Sequence, residues 1–133
     1  MRRAIRRTTA ILAAAGLALL GLAVPQPAQA AGKCTIIMGC MWVDANFTGR
    51  TGTWELCIND FARYTLDNQA SSLRNRGSAE DLFFYKDRNA GGTSVLIVDK
   101  GKKVDSLGNG WNDVISSAYF MGSLKNVGNQ VCD

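Results

Sequence analysis

One pattern, present twice in the chain, constrains the fold more than any other feature. Trp42-Val43-Asp44-Ala45-Asn46-Phe47-Thr48-Gly49 returns as Tyr85-Lys86-Asp87-Arg88-Asn89-Ala90-Gly91-Gly92, with the aromatic, the Asp, the Asn and the final Gly aligned at an offset of 43. Farther along, Asp67-Asn68-Gln69-Ala70-Ser71-Ser72 is echoed by Asn112-Asp113-Val114-Ile115-Ser116-Ser117 at an offset of 45. Two ordered pairs of landmarks describe one supersecondary unit used twice. Between them, alternation and β-branched or aromatic residues bounded by Gly, Asn and Asp indicate short strands. Strands are expected over residues 40–43, 51–57, 71–75, 82–85, 94–99 and 116–120. The stretches 44–49 and 87–92 read as hairpin turns, in which Gly supplies backbone angles that other residues resist. Residues 59–64 have room for one short helical turn. With no long amphipathic helix, the expected class is all-β, an antiparallel sandwich or barrel. Residues 77–81, polar and flexible, form the natural joint. A single unit of about 40 residues could hardly bury its own apolar face, so the halves, about 34–77 and 78–133, should share one domain.

Residues 1–30 are set apart from that domain by their composition. Arg2, Arg3, Arg6 and Arg7 precede an apolar run over residues 10–24, and Ala28-Gln29-Ala30 supplies an A-x-A cleavage pattern. These are the three parts of a secretory signal, with cleavage expected after Ala30. A membrane anchor fits less well, because the apolar run is shorter than the ~20 residues a bilayer needs and Pro25 and Pro27 follow it. Arg6-Arg7-Thr8 is a weak twin-arginine signal. The leader holds four of the 15 Lys and Arg and none of the 11 Asp and Glu, so the remaining chain is formally neutral. The whole-chain pI of about 9.0 therefore gives no reason to expect a nucleic acid or a membrane surface as partner. A secreted, extracellular monomer is the expectation.

All four cysteines, Cys34, Cys40, Cys57 and Cys132, follow the leader, and an oxidising destination makes two disulfides the default. Three connectivities are possible. Proximity, and a Gly39 that lets the chain double back, favour Cys34 with Cys40, which leaves Cys57 with Cys132. A four-thiolate zinc site is disfavoured because paired C-x-x-C knuckles are missing.

The hexapeptides carry the strongest chemical signal. Calcium takes six to eight oxygens from carboxylates, amides, carbonyls and hydroxyls in flexible geometry. Each hexapeptide concentrates such oxygens, and the hairpins at Asp44 and Asp87 add one more set apiece, so two composite sites are the economical reading. Side chains that only cap turns are the plainer alternative, but turn chemistry does not explain the matched duplication. The paired patterns aromatic-x4-aromatic-x-Gly and [DN]-[DN]-x-x-[ST]-Ser resemble those of microbial βγ-crystallins, and more narrowly of peptidase inhibitor family I36. Ala90 departs from the pattern where an aromatic belongs, so a less well packed corner is expected there. The resemblance implies a βγ-crystallin-like sandwich of two four-stranded Greek key motifs. It also implies two calcium sites in which each hexapeptide meets the first hairpin of the other half, Gln69 and Ser71 with the Lys86–Asp87 region. Gln69 and Val114 would give backbone carbonyls, and Ser71 and Ser116 hydroxyls. Val43 and Lys86 would give carbonyls, Asp67 and Asn112 would support, and Ser72 and Ser117 would tie the loops down.

Catalysis is not expected. The chain has no histidine, which removes the commonest general base and the Ser-His and Cys-His pairs. Glu80-Asp81 sit in the joint with nothing to set a carboxylate separation. Trp42, Trp54 and Trp111 read as core or rim rather than a sugar platform, and the sequon Asn46-Phe47-Thr48 is accounted for by the hairpin pattern. Family resemblance alone suggests inhibition of an extracellular metallo- or serine peptidase. The short clamped loop, with Ile36, Ile37 and Met38, is the candidate inhibitory element, although its apolar run reads rather better as a first strand packing inward. A killer-toxin-like or surface-binding role without inhibition is the alternative.

Overall fold

In a computed structural model the chain is described over residues 34–132; the expected leader and its cleavage point lie outside the described residues. Eight strands run in order: β1 (Gly39–Asp44), β2 (Thr48–Trp54), β3 (Cys57–Ile58), β4 (Ser72–Asn75), β5 (Leu82–Asp87), β6 (Gly91–Val98), β7 (Lys103–Val104) and β8 (Ser117–Phe120). They form two antiparallel four-stranded sheets, ordered β2-β1-β4-β7 and β3-β8-β5-β6. Each sheet takes three strands from one half and one short strand from the other, so the halves are interlocked as well as stacked. The hairpins β1–β2 and β5–β6 break register at equivalent places, Trp42/Asp44 and Tyr85/Asp87.

Alternation decides which side chains meet between the sheets. Met41, Leu73, Leu82, Phe84, Val98, Ile115, Ala118 and Phe120 form one core, in which Trp54 meets Phe61 and Phe84 edge to face at ring distances of 5.3 and 6.0 Å. Trp54 is thus core, as composition suggested. The expected strand over residues 51–57 divides at Glu55–Leu56 so that Cys57 and Ile58 can join the second sheet. The two-residue β7 has too little alternation to show in the sequence. The helical turn expected over 59–64 is a 3-10 turn at Phe61–Tyr64, with Asp60 capping Ala62 at 2.9 Å.

Both favoured disulfides are present, Cys34–Cys40 and Cys57–Cys132, and among the described residues no cysteine is free. The four-thiolate reading is thereby displaced. Two expectations about the clamped loop are corrected. Residues 35–38 do not form an inward-packing first strand: they make an exposed turn, and β1 starts only at Gly39. The reversal is made not by Gly39 but by Ile37, whose φ is +73°. Gly39 is small for another reason, since a Cβ there would lie 2.6 Å from the Trp54 ring.

The Ala90 corner is filled, contrary to expectation. In the first half Trp42 and Phe47 meet edge to face at 5.1 Å. In the second, Tyr85 turns to Tyr119 at 6.0 Å, and Ala90 packs on the cluster of Cys57, Tyr119 and Cys132. The small methyl leaves room for the C-terminal segment, which Asn59 holds by accepting from Tyr119 Oη (2.5 Å) and Gly128 N (3.0 Å) and donating to Asn129 O (2.7 Å).

The two disulfides close loops of very different length, with separations of 6 and 75 residues. In the chain-entropy model they are worth about 2.4 and 4.5 kcal/mol. Cys57→Ser should therefore lower unfolding free energy by about 2 kcal/mol more than Cys34→Ser in denaturant titrations. Equal losses would show that the long bridge does not restrain the unfolded chain.

Candidate functional site

The hexapeptides lie side by side at one end of the sandwich and bond to each other reciprocally. Asn68 N donates to Ile115 O, and Asp113 N donates to Ala70 O, both at 3.0 Å. Asn68 and Asp113, the second residue of each hexapeptide, take left-handed φ of 53° and 55°, which Asn and Asp tolerate better than most residues. This is the chemical reason for a second Asx in the pattern, and it identifies two functional positions that sequence reasoning passed over.

The sixth residues are ties. Ser72 Oγ donates to Asp44 O at 2.7 Å and accepts from Phe47 N at 3.0 Å. Ser117 Oγ donates to Asp87 O at 2.7 Å and accepts from Ala90 N at 3.1 Å. Each buried hydroxyl closes the hairpin of its own half. The fifth residues also use their backbone within the half, Ser71 N to Trp42 O and Ser116 N to Tyr85 O, both 2.9 Å. Their side chains are left for other work.

The expected crossing therefore takes another form. Ser71 bonds its own hairpin at Trp42 O and Gln69 meets Arg50 of that hairpin, while Val114 and Ser116 line a cleft with Lys86 and Asp87. What does cross is the tip of each hairpin, Asn46 N to Asp105 O (2.7 Å) and Asn89 N to Asn59 O (2.8 Å), and the first hexapeptide, whose Asp67 and Asn68 enter that same cleft. The cleft, about 610 Å³, thus draws on both halves. Ser116 Oγ donates to Asn68 Oδ1 at 3.4 Å. Asp67 Oδ2 accepts from Asn68 Nδ2 at 3.0 Å, but its Oδ1 is buried with no hydrogen-bond partner. A buried carboxylate oxygen without a partner is costly. Asp60 also lines the cleft, yet among the described residues no three Asp, Glu, Cys or His side chains converge to hold a metal. Any cation there would need amide, hydroxyl and carbonyl oxygens as well, a donor set that suits calcium.

The two loops are not equivalent. Arg50 Nη2 donates to Gln69 Oε1 and, at 2.8 Å, to Thr65 O, while its Nη1 reaches Thr65 Oγ1 at 2.9 Å. A fixed guanidinium stands at the first hexapeptide, and the position 43 residues on is Thr93. In the second loop Asn112 Nδ2 donates to Asp113 Oδ2 at 2.7 Å. Lys86 Nζ lies 5.0 Å from the centre of the Trp111 ring, an attraction of cation and ring face that occupies the ammonium. Burial pushes the Tyr85 phenol above its usual value, so it stays a neutral packing group.

Two interlocked, pseudo-symmetric Greek keys with paired Asx-Ser loops define a βγ-crystallin fold. The same fold is found in a structure from work on the evolution of the eye lens βγ-crystallin domain fold (TM-score 0.60, 23% identity, covering 68% of this chain and 90% of that one). It is found too in a βγ-crystallin domain from Flavobacterium johnsoniae (TM-score 0.54, 26% identity, 64% and 93%) and a βγ-crystallin from Ciona intestinalis (TM-score 0.56, 17%, 63% and 99%). The model of peptidase inhibitor family I36 matches residues 27–97, and the chain belongs to that family. No curated protein matches it.

The two serines of the second loop can be separated by stability. Ser117→Ala should cost about 1–3 kcal/mol, because Ala90 N and Asp87 O lose their shared partner. Ser116→Ala, measured in chelator, should cost less, about 0.5–1 kcal/mol, because its one hydrogen bond, to Asn68 at 3.4 Å, is long. Similar losses from both would mean that Ser116 is a tie like its neighbour.

Proposed function

We propose that the protein is a secreted inhibitor of an extracellular peptidase whose βγ-crystallin scaffold is stabilised by calcium. Membership of family I36 carries the inhibitor half of this reading. The calcium half is supported by the cleft that Asp67, Asn68, Val114 and Ser116 line and by an Asp67 carboxylate with one buried oxygen that has no hydrogen-bond partner. Secretion is supported by the basic, apolar and A-x-A parts of residues 1–30 and by two disulfides that need an oxidising compartment.

The residues that would hold the ion are Asp67, Asn68 and Ser116 by side chain and Val114 and Lys86 by backbone carbonyl. Gln69, Ser71, Val43, Asp44 and Asn112 form the weaker counterpart, because the Arg50 charge repels a second cation. Bound calcium would supply charge neutralisation and link the two hexapeptides; it would take no part in chemistry.

A ligand that binds only the folded chain at about 100 times its dissociation constant adds about 2.7 kcal/mol. For a domain of this size that raises the midpoint by about 10 °C or more. Thermal melts in millimolar calcium against chelator should show that shift, with much less in magnesium, which demands tighter octahedral geometry. Ser116→Ala and Asp67→Asn should each remove most of it. Calorimetric titration should count one tight ion per chain, and Arg50→Ala should strengthen a second. Identical melts in calcium and chelator would leave the hexapeptides as turn caps. Inhibition is tested with a panel of extracellular metallo- and serine peptidases, and no inhibition by micromolar mature protein across both classes would remove that half of the reading.

A further inference from the structure

The disulfide-clamped turn before β1 presents its two isoleucines to solvent, Ile36 at 66% and Ile37 at 51% exposure. A β-branched residue at φ +73° is an outlier that persists only where its surroundings impose it. Those surroundings are identifiable. Cys34–Cys40 closes the loop, Ile37 N donates to Arg76 O at 3.0 Å, and Arg76 N donates to Met38 O at 2.9 Å. Thr35 Oγ1 donates to Met38 Sδ at 3.1 Å, so Met38 anchors the turn while Ile36 and Ile37 form its tip. Beside the tip, Ile37, Leu56 (52% exposed) and Phe120 line an open groove of about 510 Å³. Isolated exposed apolar residues need no explanation, but a rigid pair on a clamped turn does, here beside a groove that Leu56 and Phe120 share with Glu55, Glu80 and Lys125.

We infer that the Ile36–Ile37 turn is the element that enters the peptidase, as a pre-formed apolar wedge seated in an aliphatic-accepting pocket. This deepens the inhibitor reading and rests on it. Loss of little conformational freedom on binding is the physical advantage of the clamp. The left-handed turn at Ile37 is not the extended strand that adds to the edge of a partner's sheet, so the wedge blocks the cleft without lying along it as substrate, and the Ile36–Ile37 bond stays uncut.

The test uses the mature protein against whichever panel peptidase it inhibits. Ile36→Asp and Ile37→Asp should each weaken inhibition by roughly 30-fold or more, the size of a hot-spot loss. Both variants should melt within a few degrees of the parent, because the replaced side chains are exposed. Ile97→Asp, on the outward side of β6 and also exposed, should inhibit like the parent. Ile37→Gly, which keeps the turn but removes the side chain and frees the backbone, should weaken inhibition without unfolding. After prolonged incubation the inhibitor should retain its mass under reduction. If the parent inhibits and both Asp variants inhibit equally well, the wedge is wrong while the inhibitor reading stands; a clean cut between Ile36 and Ile37 also overturns the wedge. If the parent inhibits nothing, both readings fall together.

Discussion

Two backbone hydrogen bonds organise this molecule: Asn68 N to Ile115 O and Asp113 N to Ala70 O. They run in opposite senses across the pseudo-twofold relation of the halves. For both to form, each hexapeptide must turn left-handed at its second residue and present its fourth residue's flank to the other. Ala70 and Ile115 are then carried into the core. Once those loops are mated, the sheets can exchange their short strands β3 and β7, and the apolar faces close over one another.

The serine at the end of each hexapeptide passes that constraint to the hairpins. A single buried hydroxyl accepts one backbone amide and donates to one carbonyl at Asp44–Phe47, and its counterpart does the same at Asp87–Ala90. With the sixth residue committed to structure, the fifth is left to the cleft, where Ser116 Oγ faces Asn68 beside Asp67. Structural tie and cleft-facing serine are neighbours in sequence because successive side chains of an extended segment point to opposite sides.

Pseudo-symmetry is broken where the halves serve different purposes. Arg50 places a fixed cation at the first loop, whereas the second loop keeps its cleft open. Ala90 gives up the aromatic partner of Tyr85, and the C-terminal segment takes the space, pinned by Asn59 and by the Cys57–Cys132 bridge. The shorter bridge holds an apolar turn outward. The chain thus keeps its rigid parts at two surfaces, one polar and one apolar.

The sequence alone determined the duplicated unit, the all-β class and most strand positions, each a local matter of period-two alternation and turn chemistry. The tying role of Ser72 and Ser117 followed from the family resemblance, because their bonds reach backbone 25 to 30 residues away. Both disulfide pairings were legible too, because one pair is close in sequence and the other then follows. Only the tertiary structure decided which loop faces which hairpin, because the strand exchange depends on how two sheets pack over many separate residues. It alone decided that residues 35–38 turn outward, since an apolar run has the same composition whether it packs inward or is held in solvent by a disulfide and the Arg76 backbone. The Arg50 contact, 15 and 19 residues from its partners, likewise has no local signal: a guanidinium's neighbours are set by where the fold brings its long side chain, and no spacing rule records that.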